Sequence, residues 1–355
     1  MPKHEERSRR LREAEVLRDR LRDFGAEESG GYGYGYGYGY GYGDGGGGGS
    51  SPFHIGAVAG PPVYAIGKVE WRYPSTGVKM EVAQAIQRAA AIQRAAAIRQ
   101  AAAIRQAAAR AAAIQRAGNP LPNAVLRDAQ NTPLDVSARL NDPADHHLLR
   151  QLCWVLTINR VETYILQPRD SEGFTMIRDA VAHNVTFRDR YLDVVVGVRG
   201  PVAPPQMSRG LRLPIVTFDQ IFSFDMAATV NLLIDCGTTE GLPINGDVFA
   251  DIFFRTTQVA NNMGASDRHR ALNYLAVRYP DLYIEAVRNT GGGPPAFLSG
   301  VEVRRSRQSG PRRIVDVVFA FTNTDTNVIN KFFVGVDVTE KFPFLVTPWS
   351  DYYDH

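Results

Sequence analysis

Charged and amide side chains gather at three points along strand-like runs. Gln167-Pro168-Arg169-Asp170 follows the apolar run Val161–Leu166. Arg199-Gly200-Pro201 follows the valine-rich run Tyr191–Val198. Asp219-Gln220 sits inside IVTFDQIFSFD, residues 215–225. Strand ends are where α/β sheets build ligand sites. Arg169, Asp170, Arg199, Asp219 and Gln220 are therefore the candidate ligand-binding residues. The competing reading makes Arg169, Asp170 and Arg199 helix caps or ion pairs.

Other reactive side chains point less clearly to chemistry. Cys153 lies in the apolar segment LCWVL and reads as a core thiol, whereas Cys236, in DCG, reads as exposable. His146-His147 are adjacent on a short helix and point to different sides, so with Cys153 they make a poor zinc set. His269 stands at a helix start and reads as a solvated or capping group with a near-neutral titration. There is no G-x-x-x-x-G-K loop, H-E-x-x-H, C-x-x-C or G-x-S-x-G, and no G-x-G-x-x-G between a strand and a helix. No nucleophile stands beside a recognisable base and acid. The expectation is a binding protein with no catalytic residues, no cofactor and no metal.

The elements that must position these residues follow from periodicity. Residues 63–74 alternate like a strand. Leu152–Ile158 and Val161–Leu166 form a predicted hairpin turning at Asn159-Arg160, without the usual glycine. Residues 172–183 read as helix, Tyr191–Val198 as a strand buried on both faces, and 215–225 as part strand, part turn. Gly237, Gly241, Pro243 and Gly246 mark 231–247 as a junction. Helices are predicted at 248–263, 266–278 and 281–289, with Ser266 as an N-cap. Strands follow at 297–305, 313–322 and 331–339. The fold class is α/β and α+β: a mixed-sheet first domain over 63–230, then, over 248–355, helices packed on a three-stranded antiparallel meander.

Three segments stand apart. Residues 1–29 form a charged amphipathic helix, either docking or solvated. Residues 30–62 are a flexible linker rich in tyrosine and glycine. Two other readings of its Tyr-Gly tract are a self-associating segment and a fused peptide substrate after Gly30-Gly31, though Glu28 and Gly25 stand where a leader would carry apolar residues. An Ala/Arg/Gln helix at 84–118 repeats a six-residue unit. Six residues turn a helix by about 600°, so Ile86, Ile92, Ile98 and Ile104 fall on no common stripe. It reads as an insertion.

Net charge is +3 over 355 residues, and the arginines of the repeat share no face, which argues against nucleic acid as a partner. Two cysteines build no disulfide framework. No membrane-length apolar run and no apolar signal core are present, so a cytoplasmic protein is expected.

Several runs carry a resemblance. They are VYAIGKVEWRYPS (63–75), RQLCWVLTINRVETYILQPRD (150–170), VVVGVRGPVAPPQM (194–207) and LPIVTFDQIFSFD (213–225). HRALNYLAVRYP (269–280), GVEVRRS (300–306), RRIVDVVFAFTN (312–323), FFVGVDVTEKFPFLV (332–346) and YYD (352–354) continue it. In order and spacing, over 63–80 and 142–355, they resemble the PatG-type domain and the PatG C-terminal domain. In that family these follow the subtilisin-like protease of cyanobactin maturation. No subtilisin-type Ser, His and Asp segments are seen here, so the resemblance implies the accessory region without proteolytic or macrocyclising activity. The expected partner is a precursor peptide or a peptide-modifying enzyme. The rivals are a homo-oligomer that self-assembles through residues 1–51 and an enzyme of unrecognised chemistry.

Overall fold

The computed structural model describes residues 60–85, scattered positions to 102, 146–186, 190–242, 244, 246–290 and 296–353. The predicted N-terminal helix, the Tyr-Gly tract and the stretch 119–142 lie outside the described residues. The chain forms two compact units. Of the described residues, one takes in those from 60 to 70, 154 to 204 and 212 to 353; the other takes in those from 71 to 153 and 205 to 211.

In the larger unit, strands β1 (Pro62–Arg72), β2 (Cys153–Ile158), β3 (Val161–Pro168), β4 (Tyr191–Val202) and β5 (Pro214–Asp225) close a barrel in the order β1-β2-β3-β5-β4. The β2–β3 turn is the predicted tight hairpin. Asn159 and Arg160 adopt φ 49° and 66°, the left-handed pair that matches strand twist without glycine. The β3–β5 pair is parallel, whereas β1–β4, β2–β3 and β4–β5 are antiparallel. Segment 215–225 is strand throughout rather than part turn, because β4 pairs along its whole length. That pairing contains a bulge: Val196 faces Gln220 and Gly197 faces Phe218, leaving Asp219 as the extra residue.

Side chains alternate across the barrel wall. Tyr64, Val194, Val196, Phe222 and Phe224 point outward into a core shared with the later helices and strands. The other face holds Val195 and the buried Asp193. Asp193 accepts from the Val69 N–H at 2.7 Å, from Ser223 Oγ at 2.9 Å and from the Asn184 amide. Asn184 sits on the helix at Gly173–Thr186, whose Ile177, Ala180 and Val181 are buried.

Helix α1 starts at residue 76, in the smaller unit, capped by Ser75 Oγ on the Val78 N–H at 3.1 Å. At its described positions from 87 to 102 it is exposed, Ile98 included, as expected where no apolar stripe exists. Helix α2 (His146–Gln151) belongs to the same unit, where buried Cys153 bonds Ser208. Helix α3 is the one at Gly173–Thr186.

Helix α4 (Met226–Glu240) occupies most of the expected junction 231–247. Gly237 does not break it. A Cβ there would meet Leu242 O at 2.9 Å, so this glycine permits close packing of the chain that follows. Cys236, expected to be exposable, is fully buried in the core. Helices α5 (Gly246–Thr257), α6 (Asp267–Arg278) and α7 (Asp281–Thr290) come next. The meander then has four strands rather than three: β6 (Ala296–Arg305), β7 (Ile314–Asn323), β8 (Ile329–Asp337) and β9 (Phe344–Asp351). Pro348 obscures β9 in sequence, but at the sheet's terminal strand a proline is tolerated. Residues of barrel, helices and meander make one apolar cluster. Among the described residues no helix is long and apolar enough to cross a membrane.

A short polar chain fixes α6 to β1. The Tyr64 N–H donates to Gly264 O at 2.9 Å, and Tyr64 O accepts from Asn273 Nδ2 at 2.9 Å. Asn262 links the two, donating to Asn273 Oδ1 at 2.7 Å and accepting from the Gly264 N–H at 3.2 Å. Gly264 has φ +70°, and a Cβ would stand 2.4 Å from Tyr64 O.

Two predictions follow from this packing. Gly264→Ala combines a left-handed backbone with a clash against main chain, and should lower unfolding free energy by more than about 2 kcal/mol in urea titration. Burial pushes the Asp193 carboxyl from 3.8 up to about 6, against the pull of its three donors. Its folded value is raised, so its contribution to stability is complete below the unfolded value and is lost as pH rises through about 6. Asn at this position does not titrate. The stability of wild type minus Asp193→Asn should therefore fall by about 2 kcal/mol between pH 4 and pH 7.

Candidate functional site

The five sequence-derived candidates do not converge on one place. Arg169 and Asp219 do meet: Arg169 Nε lies 2.5 Å from Asp219 Oδ1. The bulge at Asp219 turns its carboxylate to this partner, and Lys341 Nζ joins it at 2.9 Å. Asp170 instead caps α3, accepting from the Glu172 N–H at 3.0 Å and the Gly173 N–H at 3.1 Å. Arg199 pairs with Val216 and Gln220 with Val196. Residues 196 and 199 are three apart on β4, so Arg199 and Gln220 belong to opposite faces. The Arg199 main-chain N–H donates to Pro61 O at 2.9 Å. Its charge draws down a Tyr164 hydroxyl that burial has pushed up, and that hydroxyl donates to Met263 O at 3.0 Å.

A different set of residues lines a cleft of about 490 Å³. Tyr64 and Phe222 come from the outer face of the barrel. Tyr274 and Arg278, four apart, share one face of α6, and Tyr279 ends that helix. Phe342 and Pro343 come from the chain leading into β9, and Leu345 from the start of that strand. The Arg278 guanidinium carbon stacks 4.4 Å from the Phe222 ring centre, a cation–π contact. Tyr64 and Tyr274 meet edge to face at 6.3 Å. Tyr279 Oη accepts the Trp349 N–H at 3.0 Å, which ties α6 to β9.

The wall at 342–345 is anchored from behind by Arg270. This side chain is fully buried. It donates to Val338 O at 2.6 Å, to Lys341 O at 3.2 Å and to Glu340 O, with Asp267 at 3.5 Å. Burial lowers its pKa to about 10, partly offset by Asp267, so it stays protonated at neutral pH. In front, Lys341 reaches the Arg169–Asp219 pair. The ion pair between these two candidate residues thus braces the same loop that walls the cleft.

The described residues of the lining offer aromatic faces, one guanidinium and phenol hydroxyls. Burial pushes the Tyr64 hydroxyl well above its ordinary value, and nearby Arg278 draws it only part of the way back, so it cannot serve as a base at neutral pH. These groups can bind and orient a ligand. Among the described residues Arg278 makes no ion pair. The Tyr64 oxygen, although beside Arg278, has no hydrogen-bond partner of acceptable geometry there. Sequence reasoning passed over Arg278 and Tyr279. The signal available was their place at the end of HRALNYLAVRYP, where an arginine and a tyrosine close a helix before a proline.

With this geometry in place, the chain can be set beside known proteins. The family model described as PatG Domain matches residues 62–292, and that described as PatG C-terminal matches residues 245–352. A solved structure titled "PatG Domain of Unknown Function" aligns with a TM-score of 0.56 at 15% identity, covering 82% of this chain and 99% of that one. At that identity the likeness is one of fold. No curated protein matches the chain.

The two arginines around the 338–345 loop should behave oppositely. Arg270→Met strands three carbonyls in the interior and should destabilise by about 3 kcal/mol or more. Arg169→Ala removes an exposed partner and should cost under about 1 kcal/mol. Chemical denaturation of the two variants measures both.

Proposed function

The chain belongs to the PatG domain family, and on that premise we propose that it acts in cyanobactin-type peptide maturation as an accessory binding region. Its ligand is a segment of a precursor peptide, held in the cleft between β1, α6 and the start of β9. The observation that carries this reading is the lining: three tyrosines, two phenylalanines, a proline and a leucine surround one arginine that has no ion-pair partner among the described residues. Aromatic walls supply contact area at low conformational cost, and the single charge supplies orientation. A cleft of about 490 Å³ lies within the roughly 300–1,000 Å³ that serves small ligands, so it takes a few residues of a peptide. A peptide-modifying enzyme offering such a segment would dock in the same way. The self-assembling alternative rests on residues 1–51, outside the described residues, and no particular contact favours it.

The test is a titration of the purified chain with overlapping synthetic peptides that span a cyanobactin-type precursor, read by fluorescence anisotropy. One segment should bind saturably, with Kd in the micromolar range, about −8 kcal/mol. Its mass should be unchanged after incubation. Phe342→Ala, which trims an exposed wall residue, should weaken that binding about tenfold without moving Tm. Absence of binding by every segment would overturn the reading, and a change in peptide mass would move the chain to the enzymes.

A further inference from the structure

The cleft has an unsatisfied polarity that specifies more than a peptide in general. Arg278 holds its guanidinium over the Phe222 ring, and its N–H groups, which make no ion pair among the described residues, are available to a ligand. It stands at the C-terminal end of α6, where the helix carbonyls favour a cation. Beside it the Tyr64 hydroxyl is buried, lines the same cleft and lacks a hydrogen-bond partner. A buried hydroxyl without a partner is uncommon in native proteins and points to a group that arrives from outside. A fork of N–H donors next to an O–H donor fits an anion with two acceptor oxygens. Phe342, Pro343 and Leu345 form an apolar wall close by.

Resting on the cleft as the peptide site, we infer that it recognises the C-terminal carboxylate of a linear peptide whose last residue is aromatic or apolar. One residue then supplies both demands from a single Cα: the carboxylate meets Arg278 and Tyr64, and the side chain lies against the apolar wall. A terminus also suits the size of the cleft, because the chain leaves in one direction only. An acidic side chain inside a peptide meets the cation but brings main chain on both sides, with amide groups that this lining cannot satisfy. The site would thereby tell a peptide with a free end from one whose C-terminus is closed in an amide bond.

The experiment compares three probes on the full chain by isothermal titration calorimetry. The first is an N-acetylated tetrapeptide acid ending in phenylalanine. The second is its C-terminal amide. The third is an amidated peptide of the same length with an internal aspartate beside phenylalanine. The acid should bind at least tenfold more tightly than either amide. Arg278→Gln should remove that preference, leaving the acid no tighter than its amide. Tyr64→Phe deletes only the unpartnered oxygen and should weaken the acid about threefold to tenfold with Tm unchanged, so the inference stays testable if the arginine variant folds poorly. Equal binding of acid and amide overturns the carboxylate assignment, as does binding of the internal-aspartate probe as tightly as the acid. If precursor segments bind regardless of how their C-termini end, the peptide-binding function stands and this inference alone falls. If no segment and no probe binds, both fall.

Discussion

A guanidinium sealed from water inside the chain sets the terms for much of the rest. Arg270 is fully buried and remains charged at neutral pH. Such a group is tolerated only when its donors are met, because an unpaired buried charge costs several kcal/mol. The carbonyls of Val338, Glu340 and Lys341 meet those on its two terminal nitrogens, and only Nε is left without a partner. The price is conformational: a loop that would otherwise be free to vary must present three carbonyls inward at fixed positions. Once it does, Phe342, Pro343 and Leu345 stand as a wall, and Lys341 is aimed at Asp219.

Helix α6 carries both halves of this arrangement. Arg270 secures the loop before β9, and Asn273, three residues on, secures Tyr64 of β1. Tyr274 and Arg278 then face the cleft between the two. The helix is therefore polar where an ordinary core helix would be apolar, and each buried polar residue holds a separate piece of chain. Gly264 lets the preceding loop approach β1 closely enough for the Asn262–Asn273 chain to form. Main-chain hydrogen bonds place the cleft, and aromatic side chains furnish it.

Much of the fold was legible in the sequence because the relevant signals were local. The β2–β3 hairpin, the valine-rich β4 and helices α6 and α7 follow from alternation, turn residues and capping. What failed was set by distant partners. The junction at 231–247 is mostly helix, because Gly237 relieves packing within α4 and the helix runs on to its left-handed cap at Gly241. Strand β9 escaped notice because Pro348 masks it, although the end of a sheet admits proline. The polar residues at strand ends were visible as types, but a bulge in β5 decided that Asp219 meets Arg169 while Gln220 faces elsewhere. The cleft was the least legible feature. Its walls come from residues 64, 222, 274–279 and 342–345, and no spacing joins them.

The measurement that bears most directly on the central claim is the side-chain Nε–Hε resonance of Arg278 in protein labelled with ¹⁵N-arginine, followed while a peptide that binds the chain is added. If the cleft is the binding site, the Arg278 signal shifts in step with saturation, while that of Arg270, sealed behind the loop, stays where it was. Saturating binding that leaves the Arg278 signal unmoved would place the ligand elsewhere and contradict the account.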